Sequence, residues 1–553
     1  MGRPTTIKPK ARPDVPNRRD FFRRSGGAAL AATALPMVFG VGAAAAGPLF
    51  QHGVASGDPL SDRVILWTRV TPPDGTSAVT VEYQVALDPA FTQPVASGRV
   101  RTSTLRDWTV KVDVAGLAPG RSGYYRFGAL GSVSPIGRTR TLPTGSTARL
   151  RFAVVSCSNH AAGYFNAYRR IAERADLDLV LHLGDYLYEY GSNQFGEVRP
   201  AEPTTEILTL TDYRTRHAQY KRDADSQELH RQHVLMPIWD DHEVANDSWL
   251  RGAQNHDPTT EGPWATRRSR ALQAYYEWMP VREPADRTRP QRNVRLGDLA
   301  EIVMLEERLS ARSEQLPASI PVPVLGQGFV AKGRFLDPSR TLLGSEQEAW
   351  LAQTLAGSPA RWQLIGQGVM VAQLKALGRS NADGGSLFVN PDQWDGYPPA
   401  RERLFDMFGP ASNVVVLTGD IHSAWANDLT RDPNNPDPAA GGYDAATGQG
   451  SLAVEFVTTS ITSPGIDDPD GVLVGIVTSQ NPHVKHVDLN HRGYLLLDLT
   501  PARVVGEFWT VDTVQVPGAG HQFSAAFEVQ HGSHRLLPSA QTTPPANPPA
   551  PAP

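Results

Sequence analysis

With 553 residues the chain is long enough for two or more domains, each with its own core. Hydrophobic residues make up 40% and charged residues 20%, the balance of a soluble globular protein, and a formal charge of −4 excludes a general pull toward nucleic acid or anionic membrane. The single cysteine, Cys157, excludes an intrachain disulfide, and 49 Gly with 46 Pro favour a loop-rich enzyme over a helical bundle.

Residues 1–46 read as an export address. Asn17-Arg18-Arg19-Asp20-Phe21-Phe22-Arg23-Arg24 precedes a weakly apolar Ala/Gly run over 26–46, and Ala44-Ala45-Ala46 offers small residues for cleavage before Gly47. Paired arginines with a soft apolar segment resemble a twin-arginine (Tat) signal peptide. That implies the Tat translocase as a partner during export of a folded, metal-loaded chain, and a periplasmic or secreted destination. Gly, Ala and Pro36 make too weak a span for a permanent membrane anchor. Over 47–145 short alternating runs (RVILWTRV, VTVEYQVAL, WTVKVDV, GYYRFGAL) are separated by Gly, Pro, Asp and Ser. They predict a small antiparallel β-sandwich of immunoglobulin or fibronectin type. It carries no catalytic cluster and reads as a packing or positioning module.

From 146 the pattern becomes α/β. The stretch 151–191 reads as strand, loop, helix, strand, loop, with Cys157 and Asp185 where the two apolar runs stop. In a parallel βαβ unit both emerge at the same carboxyl edge, where open α/β sheets bind ligands, and Tyr188 can fold back over that spot. The segment 211–233 reads as charged helices with a largely solvated face. VLMPIWDDHEVANDSW is a strand running into a polar cluster, and 253–300 reads as helices and loops over the active edge. LAEIVMLEERL, WQLIGQGVMVAQL, NVVVLTGDIHSAW and AVEFVTTSITSPG read as further strands, GSEQEAWLAQTL as a helix, and 493–512 as a hairpin turning at Thr500-Pro501. The Pro/Ala tail over 538–553 has nothing to bury and reads as disordered.

Four strand ends thus carry metal-binding side chains: Cys157; Asp185 with Tyr188; Asp241 and His242 with Asn246 nearby; and Asp420 with His422. No P-loop, dinucleotide glycine fingerprint or nucleophile elbow accompanies them, so the chemistry falls to these clusters. Their order resembles the calcineurin-like metallophosphoesterases, whose D-x-H, GD, GNH(D/E) and late GHxH slots are filled here by S-C-S-N, G-D-Y-L-Y, D-D-H-E and G-D-I-H. That filling is similar to the PhoD-like alkaline phosphatase and phosphodiesterase family. The likeness runs on through FQHGVASGDPLSDRVILWTRVTP, YRTRHAQYK, WDDHEVANDSW, LLGSEQEAWL, WDGYPPARERL, LTGDIHSAW and EFVTTSITSPG. One segment departs: where that family shows L-D-T-R, this chain has Leu305-Glu306-Glu307-Arg308.

The resemblance implies a catalytic α/β domain over 146–537, a metallophosphoesterase β-sandwich flanked by helices and preceded by the smaller all-β domain. It implies a ferric ion, Fe(3+), on Cys157, Asp185, Tyr188 and His422. It implies calcium, Ca(2+), on Asp185, Asp241 and Asp420, with Asn246 and also Asp247 serving that calcium or a second one, and Gln367 as an outer candidate. Thiolate, phenolate and imidazole suit a transition metal, and all-oxygen sets suit calcium. The implied reaction is hydrolysis of phosphate monoesters, and also diesters, by metal-activated hydroxide, with His242 steadying the phosphate or protonating the leaving group. A dedicated phosphodiesterase of phospholipase D type is the alternative within the family, and a non-catalytic surface-binding protein is the alternative from another class. Phosphate esters are the implied partners.

Overall fold

The computed structural model describes residues 48–323, 325–409 and 413–553; the leader assigned above to 1–46 lies outside the described residues. Short Val-, Ile- and Leu-rich runs alternate their side chains between two faces, and here both faces are covered. In the strand Leu150–Val155, Phe152 and Val154 enter one core while Ala153 and Val155 enter another. The parallel strands Leu179–Leu183 and Val234–Ile238 divide the same way. On one side this sheet continues through Gly493–Leu499, Arg503–Val511 and His521–Gln530 to Leu537–Pro538. On the other it continues through Val54–Gly57 and Arg63–Arg69 to Thr109–Ala115, ten strands in all.

A second, seven-stranded sheet is ordered Arg292–Leu296, Ala300–Met304, Trp362–Gly366, Val414–Thr418, Ser451–Val457, Ala424–Thr430, Val484–Asp488. Ile302, Met304, Leu364, Val415 and Leu417 share a core with Val154, Leu181 and Met236 of the first sheet. Val303, Ile365 and Val416 pack outward against Leu351 and Leu355 of the helix Gly344–Gly357 and Leu404 of Pro398–Asp406. Tyr168, Ile171, Tyr213 and Leu229, from three helices, cover the outer face of the first sheet. The result is the expected β-sandwich between helical layers.

The region 47–145 is all-β, as expected, but it is not closed on itself. Val79–Ala86, Pro94–Thr102, Ser122–Ala129, Ser132–Val133 and Gly137–Arg140 form a sheet of their own. Val54–Gly57 instead pairs in parallel with Val234–Ile238 and carries two further strands into the catalytic sheet. All four residues of VASG are buried, which suits an interior strand better than an amphipathic one.

Two expectations need correction. The helices Leu210–Arg222 and Ala224–Gln232 are not merely solvated, because Arg216, His217, Lys221 and His230 are buried. Arg216 donates to the carbonyls of Glu202 and Pro203, both at 3.0 Å, and Lys221 Nζ meets His230 Nε2 at 2.7 Å. The charged face turns inward because loop carbonyls and neutral imidazoles satisfy it there. The tail over 538–553, expected to be disordered, runs as an extended strap. The carbonyls of Pro549 and Ala550 accept from Arg138 (3.2 Å) and the Tyr124 hydroxyl (2.8 Å), and Ala552 exchanges two 2.9 Å bonds with the Gln232 amide. A Pro-rich chain lacks ladder donors but keeps its carbonyls, so side-chain donors can fix it.

The buried imidazoles give the fold a pH dependence. Burial, before any other cause, lowers His182, His233 and His483 to about 3. An unfolded histidine titrates near ~6.5, so below that pH the unfolded chain gains protons that the folded chain refuses. Their stabilising effect is complete above pH ~6.5 and falls by about 1.4 kcal/mol per pH unit per imidazole on acidification. Urea midpoints should hold at neutral to alkaline pH and drop steeply between about pH 6 and 4. A flat profile over that window would disprove the neutral assignment.

Candidate metal centre

The parallel strands Leu150–Val155, Leu179–Leu183 and Val234–Ile238 end side by side, and Cys157, Asp185 and Asp241 follow them directly. In the second sheet Asp420 and His422 follow Val414–Thr418. Cys157, Asp185, Asp420 and His422 all take left-handed φ values, of 59°, 54°, 60° and 58°. For a side chain other than glycine that costs about 1–2 kcal/mol per residue, so something must impose it. Around Asp185 the clamp is Glu243, whose buried carboxylate accepts the backbone N–H groups of Asp185 (3.1 Å), Tyr186 (2.7 Å) and Asp240 (2.9 Å). Gly184 is needed beneath it, because a Cβ there would lie 2.4 Å from that of Asp240.

The turned side chains converge. Cys157 Sγ lies 3.4 Å from Asp185 Oδ2, and the Tyr188 hydroxyl lies 3.1 Å from that same oxygen and 3.0 Å from His422 Nε2. His422 Nδ1 donates to the Pro464 carbonyl at 2.8 Å, which turns the lone pair of Nε2 toward the cluster. Cys157, Asp185 and His422 make one group able to hold a metal ion; Asp185, Asp241 and His242 make a second; Asp240, Asp241 and Asp420 make a third. Asp185 is common to the first two groups and Asp241 to the last two.

The electrostatics fit cations. Burial, then neighbouring carboxylates, pushes Asp185 and Asp420 well above the usual carboxylate range. Burial and then Asp185 raise the Cys157 thiol and the Tyr188 phenol. Asp247 is pushed up to about 7 by burial, Asp392 and Asp241. Asp241 Oδ1 is buried without a hydrogen-bond partner, with Arg308 Nη2 3.7 Å away. Acids crowded in this way and an orphaned buried oxygen are what a cation would relieve.

His242 is brought to the same edge. Its ring centroid lies 4.1 Å from that of Tyr188, and its Nδ1 meets Glu189 Oε2 at 2.7 Å. Burial opposes its charge, but Asp241, Glu189 and Asp185 outweigh that and hold the imidazole protonated well above its ordinary range. Asn246 and Asp247 lie on the turn after Asp241: Glu189 Oε1 accepts from Asn246 N at 2.7 Å, and Asp241 Oδ2 accepts from Asp247 N at 2.5 Å. The Asn246 side chain donates to Gln254 at 3.0 Å. Gln367 is not a ligand: its amide bonds Val369 O, Thr418 and Trp394 within 2.9 Å and is spent on structure.

Sequence reasoning missed the groups behind this layer, namely Glu189, Asp240, Glu243, Arg308 and Asp392. Arg308 is fully buried and pairs with Asp240, with Asp392 at 2.8 Å and with Asp420 at 3.1 Å. The available signal was proximity alone: Glu189 in DYLYEY and Glu243 in WDDHE flank residues already singled out. Glu189→Gln keeps the shape but removes the anion facing His242. We expect kcat to fall by about 10- to 100-fold with metal content unchanged, read by steady-state kinetics and elemental analysis on one preparation. Unchanged kcat would remove Glu189 from the positioning of His242.

The profile of the PhoD-like phosphatase family matches residues 152–508, and that of the PhoD-like phosphatase N-terminal domain matches residues 34–143. Alkaline phosphatase D of Bacillus subtilis (strain 168) is 35% identical over 552 aligned residues, covering 95% of this chain and 90% of that protein. A solved structure described as "Structure of PhoD" superposes with a TM-score of 0.79 at 34% identity, covering 90% of this chain and 93% of its own.

Proposed function

Because this chain belongs to the PhoD-like phosphatase family, and is a phosphoric ester hydrolase, we propose that it works with Fe(3+) held by Cys157, Asp185, Tyr188 and His422 and with Ca(2+) held by Asp185, Asp241, Asn246 and Asp420. The observation that carries this reading is the run of contacts from Cys157 Sγ through Asp185 Oδ2 and the Tyr188 hydroxyl to His422 Nε2, none longer than 3.4 Å. Sulfur, phenol and imidazole together favour a transition ion, whereas Asp241, Asp420 and Asn246 offer oxygen. When bound, the cations supply charge stabilisation for the phosphate and a lowered pKa for water.

The chain's own residues account for the remaining steps. His242, anchored through Nδ1 to Glu189, keeps Nε2 for the leaving oxygen of the ester. Water oxygen forms the new bond to phosphorus and sheds a proton to solvent, the P–O ester bond breaks, and the leaving oxygen takes a proton from His242, which solvent then restores. Arg308 fixes the Asp240 and Asp420 carboxylates, so the oxygen-rich groups keep their spacing. Monoesters and diesters both fit this scheme. The non-catalytic alternative is set aside by the family assignment. Export by the Tat route is supported by the paired arginines and apolar run over 17–46. Among the described residues no helix is long and apolar enough to cross a membrane.

Iron and calcium analysis of the purified protein should be joined to assays on p-nitrophenyl phosphate, its bis-ester and phosphatidylcholine. We expect bound iron with a visible charge-transfer band, and turnover of both nitrophenyl esters. A colourless, iron-free, active enzyme would refute the ferric assignment. Strong preference for phosphatidylcholine would favour the phospholipase D-type alternative.

A further inference from the structure

Beside the metal centre, Thr462, Pro464, Asn490, Arg492 and Val514 line a cavity of about 300 Å³. It shares a wall with the candidate ligands. The Pro464 carbonyl accepts from His422 Nδ1 at 2.8 Å, and the Ser463 hydroxyl next to it donates to the Cys157 carbonyl at 2.9 Å. Arg492 stands on that wall in a place made for it. A Cβ added at Gly465 would lie 2.8 Å from the His422 carbonyl oxygen and 2.9 Å and 3.0 Å from the two terminal guanidinium nitrogens of Arg492. The guanidinium thus borders the space that any side chain at 465 would need.

Arg492 is also short of partners. Its Nη1 donates to the Asn490 carbonyl at 2.9 Å, and among the described residues it forms no ion pair. Asp488, whose charge it feels, is engaged by His491 at 2.9 Å. Asp512 at the cavity rim is exposed. Arg308 and Arg312, by contrast, are paired with buried carboxylates. A half-buried guanidinium with open donors has the planar fork that matches a carboxylate or phosphate.

We propose that Arg492 is a specificity-determining residue, which binds a second negative charge carried by the alcohol portion of the ester while the scissile phosphate sits at the metal centre. This rests on the phosphoric ester hydrolase reading above. The group recognised is a carboxylate or phosphate a few bonds from the ester oxygen. A guanidinium placed there favours esters that carry such a charge over esters with a neutral alcohol portion.

The test compares the metal-loaded wild type with Arg492→Ala and Arg492→Lys on two matched esters, glycerol 3-phosphate and 3-phosphoglycerate, which has a carboxylate in place of the hydroxymethyl group. We expect the wild type to favour 3-phosphoglycerate in kcat/KM by about tenfold. Arg492→Ala should abolish that preference through KM, leaving kcat, the visible iron band and glycerol 3-phosphate turnover within about twofold. Arg492→Lys should restore part of it. Absence of preference in the wild type, or an equal fall for both esters in Arg492→Ala, would overturn the proposal. Turnover of p-nitrophenyl phosphate by the wild type is the control for the hydrolase itself: if that also fails, the underlying reading fails and not the subsite alone.

Discussion

Asp185→Asn should abolish turnover, by roughly a thousandfold or more, and release bound metal while leaving the chain folded. Asp185 is the carboxylate shared by the sulfur-containing group and the Asp241–His242 group, so its loss weakens two sites at once. Asparagine is the right probe because it tolerates the left-handed φ of 54° that alanine would resist. It also keeps an oxygen near Tyr188 and Cys157. In metal-free protein the same change should raise stability by about 1 kcal/mol, because the amide spares the folded chain the cost of taking up a proton on this buried carboxyl. Elemental analysis, initial rates and urea midpoints on one preparation test all three outcomes. Wild-type rates in a metal-free Asp185→Asn enzyme would end the metal assignment.

The ligand-bearing edge was legible because each candidate sits where an apolar run meets polar residues. Strand termination is a local signal, and parallel neighbours bring their ends together once the βαβ order is recognised. Cys157, Asp185, Asp241 and Asp420 were visible for that reason. The residues that hold them were not. A glutamate that accepts three backbone N–H groups, as Glu243 does, looks in sequence like any solvated acid. The same holds for Glu455, which accepts from Val371 N at 2.8 Å and Ala372 N at 3.0 Å. The sharing of Val54–Gly57 with the catalytic sheet was hidden too, since its partner strand lies some 180 residues later in the chain, at Val234–Ile238.

The Leu305-Glu306-Glu307-Arg308 segment gains a physical role that the sequence comparison alone left open. Glu306 accepts the backbone N–H groups of Arg308 (2.9 Å), Leu309 (2.5 Å) and Ser310 (2.9 Å), and also Trp239 Nε1 at 3.1 Å. Glu307 accepts Gly368 N at 2.9 Å and Val369 N at 3.2 Å. Two glutamates thus shape the loop that delivers Arg308 into the acidic interior.

Arg308→Leu should destabilise the protein by about 3–5 kcal/mol, the usual cost of stranding buried carboxylates once their cation is removed. Asp240 and Asp392 lose a fully buried partner, and Asp420 loses its 3.1 Å contact. Arg308→Lys should recover only part of this, since one ammonium cannot span carboxylates on several sides as the guanidinium fork does. The loss should depend on pH with a definite sign. Burial already holds Asp240 and Asp420 above the usual carboxylate range, and without Arg308 they rise further. A carboxyl whose folded pKa is raised keeps its stabilising share below the unfolded value, near ~3.9, and loses it as pH climbs through the folded value. The gap between variant and wild type should therefore be small near pH 4 and widen as pH rises, opposite in direction to the histidine effect that both proteins share. Paired urea titrations at several pH values separate the two. A gap that is constant with pH would mean that Arg308 contributes packing alone, and would leave the acidic cluster without the counter-charge assigned to it here.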